Sequence, residues 1–120
     1  MKIDELFIGA LVFVDGMPAK VTGISSDGIV DTTISRNSNI EQIMPIPLTN
    51  KILYANGFNY HHKNYASLEY PSEDTFTLAD LGEGVWCVCK TWYIRNVHEL
   101  QTALRVFNVD KVIDYNYFES

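Results

Sequence analysis

Two prolines two residues apart, Pro45 and Pro47, place the strongest local constraint on what this chain folds into. Each fixes its own φ and drives the residue before it into an extended conformation, so no helix begins before Leu48. Thr49 then offers a hydroxyl to a backbone N–H one turn on, which marks it as an N-cap. Leu48 before the cap and Leu53 after it lie at the spacing of a hydrophobic staple, although Ile52 stands where a capping box takes Glu or Gln. Asn56-Gly57 closes the segment, because glycine adopts a left-handed backbone at little cost and lets Phe58 fold back on Leu53. A helix of about two turns does not persist alone in water. The segment therefore reads as a brace. It divides a β-rich half, residues 1–47, from a mixed half, residues 48–120, the two expected to pack as a single compact unit.

Upstream of the prolines the pattern is that of a β-meander. Leu11-Val12-Phe13-Val14 is strand-like, and Asp15-Gly16 marks a tight turn. A second run through Val21 and Ile24 contains Gly23, a position suited to a bulge. Ser26-Asp27-Gly28 marks the next turn, and Ile29 to Ile34 is rich in β-branched residues. A polar loop over residues 35–39 precedes an extended piece over residues 40–46. Short strands joined by glycine turns in this few residues predict a small SH3-like meander or barrel.

Downstream, a hairpin is expected on either side of His61-His62-Lys63-Asn64, with strands through Tyr60 and Tyr65. Thr75 to Leu78 is a further strand, and Leu81-Gly82-Glu83-Gly84 a turn. Residues 85–94 alternate over their whole length, with Val85, Cys87, Cys89, Thr91 and Tyr93 on one face and Trp86, Val88, Lys90, Trp92 and Ile94 on the other. Both faces are apolar enough to predict one central strand covered on two sides. Asn96 with Glu99 three residues on predicts the start of a second helix. Val97, Leu100, Leu104 and Phe107 form its apolar stripe, with Ala103 beside it and Gln101, Thr102 and Arg105 facing outward. The expected class is α+β: the meander, then a helix, antiparallel strands and a C-terminal helix.

Charge narrows the partners. Nine basic residues against 15 acidic ones leave a net charge of −6, and the basic residues are scattered. Sequence-independent binding of duplex nucleic acid requires concentrated positive charge, so duplex nucleic acid is not an expected partner. The apolar runs are too short to span a membrane, and Met1-Lys2-Ile3-Asp4-Glu5 lacks the basic start and apolar run of a signal peptide. A cytoplasmic location is the expectation. Cys87 and Cys89 are poorly placed to bond each other, which argues against a disulfide framework.

Catalytic and metal motifs are sparse. His61, His62, Cys87, Cys89 and His98 do not fall at zinc-site spacings, and neither a metal nor a cofactor is predicted. A nucleophile elbow, a phosphate loop and a His-Glu-x-x-His helix are all missing from the sequence. A small hydrolase pairing Cys87 or Cys89 with His98 stays open as a minor reading. The pattern that most suggests a ligand site is Trp86, Lys90, Trp92 and Arg95, with His61, Lys63 and Tyr65 on the neighbouring hairpin. Aromatic rings interleaved with cations stack a planar ring and neutralise a phosphate. Core packing is the better account of the two tryptophans, whereas Lys90 on an apolar strand face calls for an anion or an edge.

Three segments, Leu6-Phe7-Ile8-Gly9-Ala10-Leu11-Val12, Pro45-Ile46-Pro47-Leu48-Thr49 with Gly57-Phe58, and Val97-His98-Glu99-Leu100-Gln101, recur in this order in a known group. They resemble short phage and prophage proteins of Bacteroides-type bacteria, which open on an IGNLV-like strand, carry PIPLTEEWLLKFGF and finish with VHQLQNLYFALTGEEL. The chain departs from that pattern at Asn50-Lys51, where the group has two acids, and over residues 108–120, which replace its closing LTGEEL. The resemblance implies a mobile-element accessory protein acting inside a bacterial host and carries over no catalytic residue. Expected partners are a host or phage protein, or a small anionic nucleotide-like ligand sequestered against host defence. A homo-oligomer is compatible with exposed edge strands.

Overall fold

The computed structural model describes residues 5–61, 65–69, 75–88, 91–109 and 112–113. It contains two antiparallel five-stranded sheets and two α-helices, an α+β architecture. Two compact units divide the chain, one ending at Ile46 and the other beginning at Pro47.

The first unit carries β1 (Leu11–Val14), β2 (Met17–Ile24), β3 (Ile29–Thr32), β4 (Ser38–Asn39) and β5 (Ile43–Pro45). They lie in the order β4-β3-β2-β1-β5, so the last strand returns to pair with the first. Asp15 and Gly16, at φ 50° and 80°, form the two-residue turn between β1 and β2. Positive φ at both positions matches the twist of the flanking strands, which is why Asp-Gly recurs at such turns. The bulge expected near Gly23 is present, as a register shift between Val21 and Gly23 against β3. Val12, Val14, Ala19, Val21, Val30 and Ile43 join Leu6 and Ala10 in the buried core of this unit.

One expectation here is corrected. Residues 40–46 are not all extended: Ile40–Gln42 form a single 3-10 turn, and β5 starts only at Ile43. Side-chain capping explains it. Asn39 accepts from the Glu41 N–H at 3.0 Å, and Gln42 Oε1 accepts from the Asn39 N–H at 2.9 Å. These bonds satisfy donors that a strand would have sent to a neighbour. Pro45 then lies on an edge strand, where a residue without an N–H costs no ladder bond.

The second unit opens on the brace. Helix α1 spans Asn50–Ala55, and the Thr49 hydroxyl accepts from the Ile52 N–H at 3.2 Å. Gly57 takes φ 90° and donates to the Tyr54 carbonyl at 3.2 Å, while the Phe58 N–H reaches the Leu53 carbonyl at 3.0 Å. This pair of bonds is a Schellman motif, and it satisfies two carbonyls that the helix end leaves open. Leu48, Leu53 and Phe58 are all buried. Upstream of the helix, Pro47 bridges Asn96, and the Leu48 N–H donates to the Arg95 carbonyl at 2.8 Å.

After α1 come β6 (Asn59–His61), β7 (Tyr65–Glu69), β8 (Thr75–Gly82), β9 (Val85–Val88), β10 (Trp92–Ile94) and α2 (Val97–Val106). The sheet is a plain meander in the order β10-β9-β8-β7-β6. The single strand expected over residues 85–94 is instead the hairpin β9–β10, with Val88 opposite Trp92, Cys87 opposite Tyr93 and Trp86 opposite Ile94. Residues 89–91 separate the strands, an odd number, so the alternation of faces continues across the turn as it does along one strand. Alternation alone could not tell the two arrangements apart.

Glu99 holds the start of α2. Its Oε1 accepts from the Arg95 N–H and the Asn96 N–H, each at 3.1 Å, and from the Asn96 side-chain amide at 2.9 Å. Val97, Leu100, Ala103 and Leu104 are buried as the stripe requires, but Phe107 is partly exposed at the helix end. There a second Schellman motif forms, with Asn108 at φ 57° and the Val109 N–H donating to the Leu104 carbonyl at 2.8 Å. Among the described residues, no helix is long and apolar enough to cross a membrane.

Candidate functional site

Strand pairing sorts the second unit's sheet into two faces, because directly opposed residues share a face and neighbours along a strand do not. Ala66, Phe76, Leu78, Trp86, Val88 and Ile94 lie on one face and are buried. Helix α2 covers this face. The Phe107 ring at its end lies 5.9 Å from Phe76 and 6.4 Å from Trp92, and Phe76 meets Phe58 at 6.3 Å. Such edge-on and tilted ring contacts contribute about 0.5–1.5 kcal/mol each beyond the area they bury.

The other face carries a row that crosses all five strands. His61 opposes Tyr65, Tyr65 opposes Ala79, Ala79 opposes Cys87, and Cys87 opposes Tyr93. Small side chains occupy the middle of the row, with tyrosines on β7 and β10. Tyr93 is 58% exposed, while the Cys87 thiol beside it is free and buried. Ser67, one row away between Asn59 and Thr77, is also buried, and its hydroxyl has no hydrogen-bond partner among the described residues.

This division separates the residues singled out in the sequence. Trp86 is 2% exposed, so its ring belongs to the core and offers no surface to a ligand. Trp92 is half-buried on the same face and is occupied by Phe107. His61 and Tyr65 are cross-strand partners, in register with Ala79 and Cys87 rather than with either tryptophan. Arg95 follows β10 with an exposed side chain, and its main-chain groups are engaged by Glu99 and Leu48. Lys63 and Lys90 lie outside the described residues. Tyr93, which the sequence placed on the Cys87 face without assigning it a role, is exposed. Alternation identified its face; that Ala79 and Tyr65 continue its row beyond Cys87 comes only from the strand pairing.

The same division bears on catalysis. His98 is buried on α2, on the side of the sheet that α2 covers. Cys87 shares its face of the sheet with Ala79 and Tyr93. Cys89, the other thiol considered, lies outside the described residues. Among the described residues, no group of three or more His, Cys, Asp or Glu side chains is placed to hold a metal ion.

Neither a family model, nor a curated protein, nor a solved structure matches the chain. The likeness to phage and prophage proteins therefore rests on the three sequence segments alone.

Proposed function

We propose that the chain is a non-enzymatic binding protein of phage or mobile-element origin, which engages a host or phage protein inside the bacterium. The observation that carries the docking site is Tyr93 on the second sheet, which stands 58% exposed opposite Cys87, in the row that continues to Ala79. Tyrosine is enriched at protein interfaces because it combines a large apolar ring with a polar tip at low entropic cost. In this reading the first unit is an SH3-like module. Its support is the meander whose fifth strand returns to the first, with a bulge bending β2.

A photo-crosslinking amino acid at position 93 tests the docking face, with the same group at Tyr54 as control, since Tyr54 is 77% exposed on α1. The reading expects a discrete adduct from position 93 in host cells and none from position 54. Equal labelling from both positions refutes it.

A second reading has its own support. Arg95 follows Tyr93 by two residues and is also exposed, a ring and a cation spaced along one strand direction. That pairing suits a small anionic, nucleotide-type ligand sequestered as an anti-defence measure. Incubation with bacterial nucleotide extract, heat release and mass spectrometry separates the outcomes. Intact ligand supports sequestration, a converted ligand supports an enzyme, and an empty release leaves the protein-docking reading.

A further inference from the structure

We draw no further inference here: the strongest candidate, the polar cleft of about 800 Å³ beside β3 and the loop after it, lined by Thr22, Asp31, Thr33 and Arg36, carries nothing because its loop is held by bonds within itself, such as Asp31 Oδ1 accepting from the Asn37 N–H at 2.7 Å, and nothing in the structure shows what ligand covers it.

Discussion

The two helix ends make opposite predictions for chemically opposite substitutions. At Gly57 the backbone sits at φ 90°, and the Schellman bonds from Gly57 and Phe58 hold it there. An alanine Cβ in left-handed backbone costs roughly 1–2 kcal/mol, so Gly57→Ala destabilises the chain by about that amount. Asn108 occupies the equivalent position after α2 at φ 57°, where it already bears part of that cost. Asn108→Gly relieves it, with the gain trimmed by the greater freedom of glycine in the unfolded chain, leaving about 0–1 kcal/mol of stabilisation. An unfolding entropy near 2.1 cal/mol/K per residue, over 120 residues, converts each kcal/mol into a shift of about 4 °C. Thermal melts followed by circular dichroism should thus place Gly57→Ala about 4–8 °C below the parent and Asn108→Gly level with it or a few degrees above. Urea titration gives the free energies independently through the midpoint, provided the slope is unchanged. A Gly57→Ala protein that melts with the parent would refute the capping geometry at the brace. An Asn108→Gly protein that melts well below it would refute the geometry at α2.

Three further outcomes follow from named contacts. Thr49→Ala removes the acceptor for the Ile52 N–H and should cost about 1 kcal/mol in urea titration, whereas Thr49→Ser keeps the hydroxyl and most of the stability; equal losses would rule out the cap. Gly23→Ala brings a Cβ to 3.3 Å from Asp31 Oδ2, so its destabilisation, about 1 kcal/mol, should shrink in an Asp31→Ala background, and a double-mutant cycle showing strict additivity would exclude that contact. Trp86→Ala empties a core position and should cost about 3–5 kcal/mol, against less than about 0.5 kcal/mol for Arg95→Ala. Acrylamide quenching of Trp92→Phe protein, which leaves Trp86 as the sole tryptophan, should be weak; strong quenching would place the Trp86 ring at the surface.

What the sequence made legible was local. The caps of the brace helix could be derived because their bonds join residues three to five positions apart: Thr49 to Ile52, Gly57 to Tyr54, Phe58 to Leu53. Glu99 at the start of α2 was legible for the same reason. The bulge at Gly23 was suggested by a residue whose permissiveness is intrinsic. The 3-10 turn at Ile40–Gln42 was missed although its bonds are equally short, because isoleucine and methionine nearby gave a stronger extended signal than Asn39 and Gln42 gave a turn signal.

The candidate site failed to emerge from sequence for a different reason. Alternation reports which residues share a face, but it is silent on where the chain reverses and on which face a helix later covers. Trp86 and Trp92 do share a face, as the alternation required, yet on two strands rather than one. On that face the Trp92 ring packs on Phe107 and the Trp86 ring is buried. The other face carries Tyr93 and the small residues Ala79 and Cys87, a set drawn from three strands. A ring contributes to binding only where its surface remains open, so the burial of one face moves the search to the other. Within the β9–β10 hairpin Tyr93 keeps its ring exposed, whereas Trp86 is buried and Trp92 packs on Phe107.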